Sequence, residues 1–127
     1  MLKIAVHKEM FTGDIITLLE DLTVTWRGRS LIVPAGFASD GCSVPEFLWD
    51  TVSPQLDPRT LRAAIVHDYL YRNALPGWTR LDADELFYDF MGEDGMSKFK
   101  AGLAYYGVRL FGGGNWKGGG KCQRMNG

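Results

Sequence analysis

Hydrophobic and polar residues alternate along the first third of the chain, where "LTVTW" and "SLIVPAG" flank the short segment "RGR". A period of two residues with many β-branched side chains is typical of strands, and the glycine between the two runs predicts a tight turn. These features predict a β-hairpin. An earlier run, "IITLLED", is consistent with a further strand, although its period is ambiguous. We therefore predict an antiparallel β ribbon over residues 1–38.

After this ribbon the apolar residues follow a helical spacing. A first long helix is predicted from about Pro58 to Asn73, since an aspartate and a proline form a typical helix start. The turn "ALPGWTRL" leads to a second helix that begins near Leu81, and a third covers about Ser97 to Phe111. The sequence thus predicts an α+β fold whose helical core, residues 39–112, contains two long antiparallel helices and a third helix.

The length of 127 residues is that of one domain, and we predict a single domain over residues 1–127 with a flexible, basic, glycine-rich tail at residues 113–127. Charge is unevenly distributed. Residues 1–94 carry eight Lys and Arg against fifteen Asp and Glu, whereas residues 95–127 carry six Lys and Arg and no acid. The basic end either binds an anionic partner, such as phospholipid headgroups, nucleic acid or an acidic protein, or neutralises the acidic body of the chain.

The sequence contains no apolar run long enough to span a bilayer. Its first residues, "MLKIAVHKEMFTGD", are too short and too polar for a secretion signal. We therefore expect a protein of the cytoplasm, or one that leaves the cell without a cleaved leader. Cys42 and Cys122 do not form a disulfide framework, and we expect reduced thiols.

A histidine and an aspartate are adjacent in "AIVHDYLYRN", within a run that otherwise predicts a buried helix. Histidine suits general-base chemistry near neutral pH, and such a base needs a partner that orients its second ring nitrogen. If the two long helices pack antiparallel, Asp84 lies level with His67 and is placed to be that partner. Tyr71 lies one turn after His67 on the same face, where its hydroxyl can hold Asp84. The alternative is a buried polar cluster with a purely structural role.

Asp40 and Asp68 are candidate metal ligands. Asp40 lies in a glycine-flanked loop, and Asp68 leaves its helix about 100° from His67, so that one of the two neighbours can face a metal while the other faces a substrate. Ligation by oxygen alone suits calcium better than zinc. Asp40 is also compatible with a simple turn role. Cys42, at a predicted helix start, is either a small buried side chain or a nucleophile that acts with a histidine.

The order of "SDGCSVP", "HDYLYRN", "ADELFYDFM" and "AYYGVRLFG" resembles the prokaryotic branch of the secreted phospholipase A2 family over roughly residues 39–112. The resemblance implies that His67 activates a water molecule for attack on an ester carbonyl. It also implies that Asp84 orients His67 and that Tyr71 supports this pair by donating a hydrogen bond.

The same resemblance implies a Ca²⁺ ion held by Asp40, Asp68 and the carbonyl of Gly41. This ion would polarise the ester and stabilise the oxyanion. The chain also resembles a phage-encoded group of unknown function that shares "VPAGF", "DGCSVP" and "HDYLY". This second resemblance implies a phage protein of the host cytoplasm or the virion.

Three functions are therefore compatible with the sequence. The first is a calcium-dependent, phospholipase A2-like hydrolase that acts on an acyl ester at a lipid surface. The second is a virion structural or assembly protein that uses the same scaffold and binds virion proteins through its basic C-terminal region. The third is a cell-wall amidase or peptidase in which Cys42 acts with a histidine as the reactive pair. The chain has no motif specific to nucleic-acid binding, and its oligomeric state is not predicted.

Overall fold

The structure is a computed structural model that describes residues 2–9, 13–40, 43–44, 48 and 57–118. Within these residues, antiparallel strands come first and α-helices follow, which confirms the predicted α+β class. The strands are β1 (Ile4–Glu9), β2 (Gly13–Leu18), β3 (Leu22–Trp26), β4 (Arg29–Val33) and β5 (Ala38–Ser39). The helices are α1 (Pro58–Asn73), α2 (Arg80–Glu93) and α3 (Lys98–Phe111), with a 3-10 helix at Gly113–Gly118.

The strands of the described part of the chain form two sheets. In the first, the strand order is β1-β2-β5, and β2 pairs with β5 through Ile16 opposite Ser39. The second sheet is the predicted hairpin β3–β4, with Trp26 opposite Arg29. Arg27 and Gly28 connect its strands, and both have positive φ angles, 51° and 76°. Two central residues with positive φ match the twist of a two-residue hairpin, which explains the glycine in this turn.

Side chains at the helix starts satisfy backbone N–H groups that would otherwise lack partners. Asp57 caps α1 by accepting a hydrogen bond from the backbone N–H of Arg59. At α2, Thr79 and Asp82 bond reciprocally to each other's backbone as a capping box. Ser97 caps α3. These caps set the starts of the three helices within one residue of the positions predicted from the sequence.

Helices α1 and α2 pack antiparallel, as predicted. Near the start of α1, Arg62 bonds to Asp94 just after α2, whereas Tyr71 near the end of α1 contacts Arg80 at the start of α2. The apolar core lies where these helices meet α3 and the inner faces of the strands. Its fully buried large side chains include Ile16, Val33, Ile65, Leu70, Leu86, Phe87, Phe90 and Met91.

The described part of the predicted tail is the 3-10 helix, whose Trp116 ring packs edge-to-face on Tyr71 with 5.3 Å between ring centroids. Residues 119–127 lie outside the described residues, and the flexibility predicted for the tail stays a prediction there. The single-domain boundary likewise stays a prediction. None of the helices in the described part of the chain has the length and hydrophobicity needed to cross a membrane.

Candidate functional site

The antiparallel packing of α1 and α2 brings His67 and Asp84 into contact. His67 Nε2 lies 2.7 Å from Asp84 Oδ1, and both side chains are completely buried. The imidazole is held between two rings, with centroid distances of 4.2 Å to Tyr71 and 4.7 Å to Phe87. Ring packing and a carboxylate contact together fix the orientation of His67.

Asp84 is itself held by donors from two other positions in the helices. The Tyr71 hydroxyl donates to Asp84 Oδ1 at 2.7 Å, and Arg109 Nη1 of α3 donates to Asp84 Oδ2 at 2.8 Å. Arg80 Nε donates to the Tyr71 oxygen at 3.1 Å and lies 4.0 Å from Asp84 Oδ2. The carboxylate therefore has hydrogen bonds or charge partners on both oxygens, as a buried charge requires.

These contacts favour the ionised form of Asp84. Burial acts to raise the pKa of Asp84, but the hydrogen bond and charge of His67, followed by bonds from Tyr71 and Arg109, outweigh it and lower the pKa below its ordinary value. Burial, together with the charge of Asp84, raises the pKa of Tyr71, which keeps its proton and donates. Because ionised Asp84 can only accept, we assign a proton to His67 Nε2, and in the neutral ring Nδ1 is then the basic nitrogen.

Ser43 lies on the other side of His67, and Ser43 and Ser39 both bond to Asp68. Ser43 Oγ lies 2.8 Å from His67 Nδ1 and also donates to Asp68 Oδ1. The backbone N–H of Ser43 donates to the same carboxylate oxygen at 3.1 Å, and Ser39 Oγ donates to Asp68 Oδ2 at 2.6 Å. Asp68 therefore anchors the residue that faces the basic nitrogen of His67. We call the connected side chains the His67 network, comprising Ser39, Ser43, His67, Asp68, Tyr71, Asp84 and Arg109.

The predicted calcium ligands are engaged by other groups. Asp40 Oδ1 forms an ion pair with Arg72 Nη2 at 2.8 Å, and Arg72 Nη1 also donates to the carbonyl of Ala38. The described donors to Asp68 include the hydroxyls of two serines, Ser39 and Ser43. Gly41 lies outside the described residues. Within the described ranges, no group of three or more His, Cys, Asp and Glu side chains is arranged to hold a metal ion.

Three members of the network, Ser39, Ser43 and Arg109, are not among the site residues predicted from the sequence. A sequence feature could have pointed to Arg109 as a site residue, because it is the one charged residue in the otherwise apolar run "AYYGVRLF". Cys42 lies outside the described residues, and its proposed reactivity stays a prediction.

Helix α3 carries an exposed apolar surface. Its members recur at helical spacing and expose between 40% and 75% of their area. We call this surface the α3 apolar stripe: Phe99, Leu103, Tyr106 and Leu110. Exposed Lys98 and Lys100 lie at its start, and the helix contains no acidic residue. An adjoining groove of about 360 Å³, lined in part by Tyr105 and Tyr106, includes no member of the His67 network.

Comparison with known proteins yields one family and relatives without an assigned activity. The family model described as a protein of unknown function (DUF1353) matches residues 16–108. The uncharacterized protein y4iH of Sinorhizobium fredii (strain NBRC 101917 / NGR234) is 34% identical over 74 residues, which cover 58% of this chain and 30% of that protein. The uncharacterized protein y4jT of the same strain is 30% identical over 80 residues, which cover 63% of this chain and 23% of that protein. The matched part of the chain thus spans less than a third of the length of either relative. No solved structure matches it.

Proposed function

The chain belongs to the DUF1353 family, and we propose that it is an acyl-ester hydrolase of phospholipase A2 type in which His67 is the general base. One observation carries the proposal: the His67 ring has a carboxylate at 2.7 Å from Nε2 and a hydroxyl at 2.8 Å from Nδ1. This is the arrangement of an oriented base that faces a group whose proton it can accept.

The partners of Asp84 support this role. When Nδ1 accepts a proton, the imidazole becomes positive, and a fixed carboxylate at Nε2 stabilises that charge. Tyr71 and Arg109 keep Asp84 in place and ionised before any reaction takes place. The low dielectric of this buried site strengthens the interaction between the carboxylate and the imidazolium.

A purely structural role is a less economical explanation. Desolvating charged groups is costly, and well-packed apolar residues of similar volume often give equal or greater stability than a buried ion pair. The chain nevertheless places His67, Asp68 and Asp84 where each is at most 1% exposed. Such a concentration of buried titratable groups is typical of a site whose chemistry needs them.

We propose that the substrate is presented at an anionic lipid surface. The α3 apolar stripe is exposed and no acid interrupts its helix, so the surface is complementary to a bilayer with negative headgroups. The basic residues that follow α3 in the sequence extend the same charge. The phage origin implied by the sequence resemblance is part of this proposal.

The test is hydrolysis of a fluorescent phospholipid in anionic vesicles by purified protein. We expect turnover that His67→Asn lowers by about 10³-fold or more, the size typical of losing a positioned base. The matched control is His7→Asn at the only other histidine, which should retain wild-type turnover. Absence of turnover in the wild type, or equal turnover in both variants, would contradict the proposal.

Calcium stays a proposal within this function. The chemistry it would supply is polarisation of the ester carbonyl. A readout independent of turnover is calorimetric titration of Ca²⁺ into metal-free protein, with Asp68→Asn as the comparison. Binding that is lost in the variant supports calcium at this site. Binding that the variant leaves unchanged, or no binding at millimolar Ca²⁺, counts against it.

A second candidate function is a non-catalytic virion or assembly protein. The α3 apolar stripe favours it as well, because a contiguous exposed apolar surface also suits a protein interface. The two proposals differ in their dependence on His67. The structural role would be favoured by two results together: the His67→Asn variant is incorporated into particles at a fixed copy number, and the wild type shows no phospholipid turnover.

A further inference from the structure

The hydroxyl of Ser43 has one proton and two acceptors within hydrogen-bond distance. His67 Nδ1 lies 2.8 Å from Ser43 Oγ, and Asp68 Oδ1 is in close contact on another side. Asp84 accepts the hydrogen bond of the Nε2 proton, so the lone pair of Nδ1 is directed at Ser43. In the structure that proton is donated to Asp68 Oδ1. Rotation of the hydroxyl about the Cβ–Oγ bond would turn the proton to Nδ1, where the imidazole can accept it.

We propose that Ser43, rather than a water molecule, is the nucleophile of this site. The inference rests on the proposed hydrolase function and replaces one element of the phospholipase resemblance, in which the histidine activates water. At Nδ1 of His67, the position that such a water needs is occupied by Ser43 Oγ at 2.8 Å. The group closest to the base is therefore part of the chain.

Burial also favours Ser43 as the point of attack. Ser43 is 5% exposed, whereas His67 and Asp84 are fully buried, and Asp68 and Ser39 are each 1% exposed. Ser43 is thus the most exposed of these five residues.

Asp68 is a positioning residue in this mechanism. It accepts from both the backbone N–H and the hydroxyl of Ser43, while Ser39 holds its second oxygen. These bonds fix the Ser43 backbone relative to helix α1 and keep Oγ within reach of Nδ1. Orientation of this kind lowers the entropic cost of attack.

The covalent steps balance with water as the only co-reactant. Ser43 Oγ forms a bond to the acyl carbon as its proton passes to His67 Nδ1. The bond from the acyl carbon to the alcohol oxygen breaks, and the leaving alcohol takes the proton from Nδ1. Water then donates a proton to Nδ1 and attacks the acyl-serine. The bond to Oγ breaks, Ser43 recovers the proton, and the fatty acid is released.

The test is covalent labelling with a fluorophosphonate probe, which forms a phosphorus–oxygen bond to an activated serine and expels fluoride. We expect peptide mass spectrometry to place the label on Ser43 in the wild type and labelling to fall by about 100-fold or more in His67→Asn, since losing a positioned base costs at least that factor. Ser97→Ala, which removes an exposed helix cap, is the matched control and should label normally. No label on Ser43, or a label that does not depend on His67, would overturn the proposal.

Turnover of Ser43→Ala separates this proposal from the hydrolase function itself. If Ser43→Ala hydrolyses phospholipid as fast as the wild type, water is the attacking group; the Ser43 proposal is then wrong, and the hydrolase stands. If Ser43 labels in a His67-dependent way but no phospholipid is hydrolysed, the nucleophile is supported and the lipid substrate is wrong. The labelling of wild-type protein decides the question even if a Ser43 variant does not fold.

Discussion

Replacement of Asp84 by asparagine is the perturbation whose effect follows most directly from the structure. The change keeps the shape of the side chain, removes its charge, and turns one acceptor oxygen into an NH₂ donor. Three donors converge on this carboxylate, from His67, Tyr71 and Arg109. An amide cannot satisfy all three, and Arg109 loses its compensating charge.

Removing one partner of a buried ion pair typically costs about 3–5 kcal/mol in the free energy of unfolding. The amide that replaces the Asp84 carboxylate keeps one carbonyl oxygen that can still accept, so we expect the lower end, about 3 kcal/mol. For a domain of this size that corresponds to a melting temperature about 10 °C lower. The matched control is Asp82→Asn on the same helix, where a partly exposed capping-box carboxylate should cost about 1 kcal/mol at most.

The assay is urea unfolding of the wild type and both variants, supported by thermal melts. Urea unfolding at several pH values gives a second test of the Asp84 contribution to stability, because the pKa of Asp84 is lowered in the folded state. Its contribution to stability is complete above its ordinary pKa of 3.8 and is lost as the pH falls through the lower folded value. The stability difference between wild type and Asp84→Asn should therefore be constant above about pH 4 and shrink in more acidic solution. Two results would refute this reasoning. One is a loss in the free energy of unfolding for Asp84→Asn that is no larger than the loss for Asp82→Asn. The other is a loss for Asp84→Asn that does not change with pH down to acid unfolding.

Two further predictions concern α3. Gly107→Ala should lower the free energy of unfolding by about 1–2 kcal/mol, because a Cβ there would overlap the buried Leu48 side chain. The control is Gly102→Ala, where a Cβ would meet open space and the free energy of unfolding should rise by up to about 1 kcal/mol. Equal effects of the two variants in urea unfolding would be inconsistent with this packing. Leu110→Ser should weaken sedimentation with anionic vesicles about tenfold or more, since a leucine side chain buried in lipid contributes about 1.5–3 kcal/mol. Ile32→Ser, at an exposed isoleucine on β4, is the control, and equal binding by both variants would exclude the α3 apolar stripe as the lipid contact.

The features that the sequence predicts well depend on local periodicity. Alternating apolar and polar residues with a glycine turn between them specify the β3–β4 hairpin. Apolar residues at helical spacing on both sides of a short connection specify the antiparallel α1–α2 pair. Once that pairing is assumed, the contact between His67 and Asp84 follows, because each lies on the inner face of its helix a similar distance from the connection.

The features that the sequence does not predict depend on contacts between distant segments. Ser43 precedes His67 by 24 residues and Arg109 follows Asp84 by 25, and no local pattern links either pair. Asp40 shows the same difficulty. A glycine-flanked loop suggests a cation ligand, but the path of the loop places this carboxylate beside Arg72, one helical turn after Asp68.

The central claim is that Asp84 holds His67 with its proton on Nε2 and its basic nitrogen towards Ser43. Proton-coupled ¹⁵N spectra of protein labelled at histidine report this directly, since the chain has only His7 and His67, and His67→Asn assigns the signals. We predict a protonated Nε2 on His67, with a hydrogen-bonded proton signal that Asp84→Asn shifts. A proton on Nδ1 with a bare Nε2, or a spectrum that Asp84→Asn leaves unchanged, would contradict the account.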